Sequence, residues 1–223
     1  WPRTTTALLQ LGGENAADIL LKRLEDEPAA ANRMQLIRLI SRMGRRAIDS
    51  TWKRLSDSRW YVVRNACFIL GELNDQDLAQ HLRTPLCHSD IRVQQAALTS
   101  LIKSTAPHRA EVLGDALPCL HPRILDMALE ELAFHKEPSS IRGLEIVLAK
   151  DAQAPLDTLR KALGVLGAIP SERAVEIVGK IMMDARRDIS LRKAAEVILR
   201  HHPSAAAREQ LARLGGLPVS ELT

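Results

Sequence analysis

Aromatic residues are nearly missing from this chain. Three Trp, one Tyr and two Phe make up 3% of its 223 residues. A core without aromatics is filled by Leu, Ile, Val and Ala, which suits closely packed helices better than sheets. Long apolar runs are missing too. None approaches the roughly 18 residues that a membrane-spanning helix needs, and no signal-peptide pattern is visible. Cysteine is sparse: Cys67, Cys87 and Cys119 cannot all pair with one another, and each sits in an apolar helical context. The expectation is reduced, buried thiols in a cytoplasmic setting rather than a disulfide framework. HExxH, a Gly-rich phosphate loop and a nucleophile elbow are also absent, which excludes the reaction classes those motifs carry.

What is present is an ordinary soluble composition, 46% hydrophobic and 26% charged. A net charge of +4 does not by itself establish a nucleic-acid partner. Trp1 is not a natural start, so the sequence reads as part of a longer chain.

The chain repeats itself at about 32 residues. Pro107, Pro138, Pro170 and Pro203 are spaced by 31, 32 and 33 residues, and each precedes a helix-like segment. Proline fits the first turn of a helix, where its missing N–H has no partner to lose. Leu11–Gly12, Met43–Gly44, Leu70–Gly71 and Leu166–Gly167 form a second register, read as helix C-caps because glycine accepts the left-handed conformation. In a third, Val63-Arg-Asn-Ala66, Val93-Gln-Gln-Ala96, Leu159-Arg-Lys-Ala162 and Leu191-Arg-Lys-Ala194 share one pattern. Its aliphatic residue and its Ala lie on one helical face, and the small Ala lets a neighbouring helix approach. Leu21-Lys-Arg-Leu24 recurs 31 residues later as Trp52-Lys-Arg-Leu55. Such periods signal stacked helix pairs. The approximate units are 1–27, 28–58, 59–89, 90–121, 122–153, 154–188 and 189–223, without a linker, so the expectation is one all-α domain, an α-α superhelix, over 1–223.

With two helices per unit, the segment from Asp57 to Leu73 resembles the short HEAT-like repeats first associated with phycobilisome lyases. The resemblance covers most of the chain. It implies the solenoid fold, with second helices lining a concave surface. Further, it implies an Arg–Asp ladder between repeats, with Asp57 serving Arg64 and Asp184 or Asp188 serving Arg192. The His-Glu dipeptide that marks iron-binding HEAT-like hydroxylases is absent here.

Seven histidines are scattered over separate units, and only His201-His202 are adjacent, so no metal site and no cofactor is expected. Asp126, Glu130 and Glu131 read as a solvated helix face rather than as acid–base machinery, which needs a cleft and a partner. Charge, however, is segregated. Residues 31–64 hold nine Lys or Arg against two Asp, whereas residues 65–179 hold eleven basic and fifteen acidic residues. On the segment after Gly44, Ile48, Thr51, Trp52 and Leu55 mark a buried stripe, with Trp52 as core filling. Arg45, Arg46, Lys53 and Arg54 are left on the polar side, and Lys22 and Arg23 continue the strip into the preceding repeat.

The expected function is a non-catalytic, cytoplasmic protein-interaction scaffold whose basic strip binds an acidic segment of a partner. The competing readings are two: a nucleic-acid-binding HEAT-like domain, with the alkylpurine DNA glycosylase type as its catalytic form, and a chromophore lyase. HEAT-like alkylpurine DNA glycosylases combine a basic groove with tryptophans and an Asp one turn from a Trp. In this chain Arg64 stands four residues after Trp60, and Ser56 four after Trp52. A chromophore lyase is suggested only by the family's name.

Overall fold

The computed structural model describes residues 14–149 and 154–215, which are helices and their connections without a strand. In chain order these are α1 (Glu14–Glu25), α2 (Ala30–Ser41), α3 (Ile48–Trp52), α4 (Trp60–Leu73), α5 (Leu78–Leu86), α6 (Ile91–Lys103), α7 (Arg109–Ala116), α8 (Pro122–His135), α9 (Ile141–Ala149), α10 (Leu156–Gly167), α11 (Glu172–Met183), α12 (Ile189–His201) and α13 (Ala205–Gly215). Single 3₁₀ turns at Gly44–Ala47 and Lys53–Ser56 extend α3 on both sides. Others follow α7 at Leu117–Cys119 and precede α9 at Pro138–Ser140. The chain falls into two compact units that divide between Arg109 and Ala110.

Both units are built alike. First helices of successive pairs stack on one another, α2 on α4 on α6 and α8 on α10 on α12. Second helices stack likewise, α1 on α3 and α9 on α11 on α13. The proline register falls where the sequence places it, because α7, α9, α11 and α13 all begin within three residues of Pro107, Pro138, Pro170 and Pro203.

Aliphatic residues carry the packing, as the shortage of aromatics requires. In the first unit Leu20, Leu24, Leu36, Ile40, Ala47 and Ile69 form one cluster. In the second, Leu129, Leu132, Leu144, Leu163, Leu166 and Val178 are buried. Each such Leu or Ile contributes about 1.5–3 kcal/mol by leaving water. The aliphatic-x-x-Ala pattern sits at the contact: Val63, Ala66, Val93, Ala96, Leu159 and Ala162 are all buried. In α12 the buried small residue is Ala195 rather than Ala194.

The glycine register has two different causes. Gly44 is left-handed, with φ at +61° just beyond α2, as a cap requires. Gly71 lies inside α4, and that helix is capped instead by left-handed Asn74. A Cβ on Gly71 would stand 2.6 Å from Ser100 Cβ of α6. Gly167 closes α10 with a right-handed cap residue after it, and its Cβ would stand 2.3 Å from Ile198 Cγ2 of α12. These two glycines serve close helix approach, not capping. The Ser100 hydroxyl donates to the Cys67 carbonyl across that approach at 2.9 Å. Leu11–Gly12 lies outside the described residues.

Candidate functional site

The second-helix face of the first unit carries the basic strip. On α1, Lys22 and Arg23 are exposed beside the equally exposed Ile19, and Arg23 reaches Glu27 at 3.5 Å. Arg45, Arg46 and Lys53 are exposed on the short segment built from the two 3₁₀ turns and α3.

Arg54 points the other way. Its guanidinium donates to Asp18 at 2.7 Å, Glu25 at 3.0 Å and the Ser50 carbonyl at 2.7 Å, and only 16% of its side chain is exposed. Glu25 also receives Arg59 at 2.6 Å, and Arg59 is held by Asp57 at 2.7 Å. The Arg59 guanidinium holds the Asp57 carboxyl down at about 2, against the opposing pull of desolvation. Arg54 therefore ties the end of α3 to α1 through a network of charged hydrogen bonds.

Trp52 is not core filling. It is 50% exposed, because α3 turns Thr51 inward to bond the Ala47 carbonyl while the following 3₁₀ turn buries Leu55. Its ring stacks on His81 of α5, with centroids 5.0 Å apart and planes 21° from parallel. His81 Nδ1 is buried without a hydrogen-bond partner among the described residues. His81 escaped the sequence reading, although it stands 29 residues after Trp52, about one repeat.

The Arg–Asp ladder takes another form. Asp57, Asp90 and Asp184 each accept from the backbone N–H and side-chain Nε of the arginine two residues on, Arg59, Arg92 and Arg186. The clamp is local because a carboxylate just before a helix finds its free N–H groups closest. Asp188 caps α12 through the Ser190 N–H at 2.8 Å. The arginines expected on the ladder go elsewhere. Arg192 donates to the Met182 carbonyl at 3.1 Å, Arg160 to Asp157 at 3.2 Å, and Arg64 lies 5.3 Å from the centre of the Trp60 ring. Trp60 also carries Arg92 at 3.4 Å, so its indole is engaged by cations.

The acidic helix face in α8 is likewise no free surface. Asp126 and Glu130 both hold Lys161 of α10, at 2.9 and 3.0 Å, and Asp126 accepts the Thr158 hydroxyl at 2.8 Å. Glu131 pairs with His135 in its own helix. His201 and His202 bond around the end of α12. No group of three or more His, Cys, Asp or Glu able to hold a metal ion occurs among the described residues.

The thiols differ from the expectation of three reduced cysteines. Cys67 is free and buried, and burial pushes its thiol up to about 12. Cys87 and Cys119 are disulfide-bonded. Alternation with polar residues hides such oxidation in the sequence, since a helix-borne cysteine reads as apolar whichever state it takes. No helix among the described residues is long and apolar enough to cross a membrane.

Against known proteins, the HEAT-repeat family model matches residues 48–123. No curated protein matches the chain. Among solved structures, the chain aligns with human deoxyhypusine hydroxylase in complex with glycerol at 18% identity and a TM-score of 0.39, covering 99% of this chain and 86% of that one. It aligns with the CpcE–CpcF complex of phycocyanin lyase from Nostoc sp. PCC7120 at 23% identity and a TM-score of 0.39, covering 96% and 89%. An engineered protein aligns at 17% identity and a TM-score of 0.32, covering 97% and 87%. Two of these are enzymes, which overturns the expectation that the chain is none, and that expectation is dropped. Likeness at this level carries no particular activity across. The chain is an all-α repeat protein whose residues 48–123 match HEAT repeats, flanked by further stacked helix pairs.

Proposed function

We propose that the second-helix face of the first unit binds an acidic segment of a partner protein, with Trp52 as the anchor. One observation carries this reading: a half-exposed tryptophan, held in place by stacking on His81, sits on the same short segment as Arg45, Arg46 and Lys53. Tryptophan and arginine dominate binding energy where they can be desolvated together, and a pre-stacked ring loses little freedom on binding. Lys22, Arg23, Arg45, Arg46 and Lys53 supply the charge that attracts and orients the acidic segment. Arg54 contributes by fixing α3 against α1.

The aliphatic-x-x-Ala pattern recurs on both sides of the division at Arg109, at Val63 and Val93 and at Leu159 and Leu191, which supports reading 1–223 as one repeat domain.

The test is titration of a fluorescent Asp/Glu-rich peptide across a salt series, with a DNA duplex as competitor. Changing Lys22, Arg23, Arg45, Arg46 and Lys53 to Glu is expected to weaken peptide binding by at least tenfold, and Trp52→Ala by a similar factor at unchanged salt dependence. Peptide binding that survives Trp52→Ala, or that DNA outcompetes, would sink this reading.

A further inference from the structure

We propose that Arg64 and Arg92, which share the Trp60 ring, together with Arg33 of the preceding first helix form a binding site for a phosphate-type oxyanion. This surface is separate from the strip that carries Trp52, and the inference does not rest on that reading.

Arg64 is the key. It is a partly buried guanidinium in α4 that donates from one terminal nitrogen to Asn65 Oδ1, at 3.0 Å. Its Nε is buried with no partner among the described residues. Among the described residues no carboxylate forms an ion pair with it. Instead it lies over the Trp60 ring at 5.3 Å, and Arg92 of the next first helix, α6, lies on the same ring at 3.4 Å. Burial holds the Arg64 pKa below the ordinary arginine value, the positive charges of Arg33 and Arg92 push in the same direction, and the Asp90 carboxylate offsets them in part.

Like charges brought together with a buried donor left unmatched cost stability. The fold nonetheless repeats the arrangement: Arg33, Arg64 and Arg92 stand 31 and 28 residues apart, one per repeat. Two of the three already have anchors that aim them. Arg33 donates to the Pro28 carbonyl at 2.6 Å and the Glu27 carbonyl at 3.2 Å, and Arg92 is forked onto Asp90 at 2.6 and 3.0 Å. With Asp90 offsetting Arg92 and Glu27 acting on Arg33, the three arginines against two carboxylates keep an excess of one positive charge, centred on Arg64. Its remaining N–H groups lie in the planar forks that match a tetrahedral oxyanion, and the indole behind them keeps the guanidinium planes in place. A dianion bound here accepts from the terminal N–H groups of these arginines and relieves the repulsion among them.

The phosphate group could be free or carried as a monoester on a peptide, and the experiment separates these. Inorganic phosphate and a phosphoserine peptide are titrated into the intact protein at constant ionic strength, by calorimetry and by melting temperature. The expected result is a rise in Tm with phosphate over chloride that Arg64→Gln abolishes, with at least a tenfold loss of phosphate affinity. In chloride alone, Arg64→Gln should melt no lower than the parent, because it removes an unmatched charge. Arg33→Gln leaves the Trp60 stack untouched and should weaken phosphate binding in the same direction. Tighter binding of the phosphopeptide than of free phosphate supports the site with a monoester as its source, and equal binding supports it with free phosphate. An identical Tm rise in parent and both variants would mean a general salt effect and overturn the site. Binding of a DNA duplex that depends on Arg64 while phosphate and phosphopeptide fail would also overturn it, in favour of a nucleic acid.

Discussion

The two units use the same helix-pair repeat and deploy charge in opposite ways. In the second unit, cations link repeats: Lys161 bridges α10 to Asp126 and Glu130 of α8, and Arg173 of α11 meets Glu145 of α9 at 3.1 Å. Its groove between α11 and α13 is acidic, lined by Glu172, Glu176 and Glu209 with Lys180. In the first unit, Arg54 and Arg59 do the linking, and a surplus of cations is left over. That surplus falls into two sets, the strip around Trp52 and the cluster around Trp60. The fold needs small and aliphatic residues at fixed places in both units. It does not need the surplus, so the surplus is where function is to be sought.

The comparison can be broken most forcefully at the close helix approaches, which both units should need equally. A Cβ on Gly143 would stand 1.8 Å from the Gly114 carbonyl oxygen, and one on Gly71 2.6 Å from Ser100. Gly143→Ala is expected to cost about 3 kcal/mol and Gly71→Ala about 1–3 kcal/mol, the difference reflecting a backbone neighbour against a side chain. Urea unfolding followed by circular dichroism measures both. A neutral Gly143→Ala would show that the second unit tolerates what the first does not.

Next in size is the contrast inside the first unit between neighbours Lys53 and Arg54. Arg54→Ala leaves Glu25, whose side chain is 14% exposed, with Arg59 alone and cuts the tie to Asp18, and should cost about 1–2 kcal/mol. Lys53→Ala on the exposed side should change stability by less than about 0.5 kcal/mol. Equal losses would mean that the strip is structural throughout.

The smallest effect is in acid. Arg59 lowers the Asp57 carboxyl from 3.8 to about 2, so this pair stabilises the fold above pH 4 and the gain fades as pH falls toward 2. Asp57→Asn should therefore be less stable than the parent near neutrality, with the gap closing in that window. Asp126 in the second unit is also lowered, chiefly by Lys161, and Asp126→Asn should show the same sign. A gap that stays constant with pH would show that ionisation of the Asp57 carboxyl contributes nothing to stability.

The repeat was legible because helix stacking constrains residue types at fixed spacing. Proline starts and aliphatic-x-x-Ala faces report steric demands that no other residues meet as well. The glycines Gly71 and Gly167 stood at the right places for another reason, since sequence alone cannot separate a left-handed cap from a close approach. Trp52 misled because α3 is only five residues long, and 3₁₀ turns on both sides rotate the faces away from a regular helical period. The clamp between Asp57 and Arg59 was readable as Asp-x-Arg, repeated at 90–92 and 184–186, once local pairing is weighed against pairing between repeats. The partnership of Trp52 with His81 joins different repeats, and one period of separation was its only trace.

The hydrogen bond from Ser100 to the Cys67 carbonyl beside Gly71 has a mechanical meaning. Interfaces cushioned by long side chains yield when an array of repeats is bent, because rotamers rearrange under load. Where α4 meets α6 nearly backbone to backbone there is nothing to compress. At this depth the α4–α6 junction is a stiff point in the stack, while Arg64 and Arg92 lie across its outer edge.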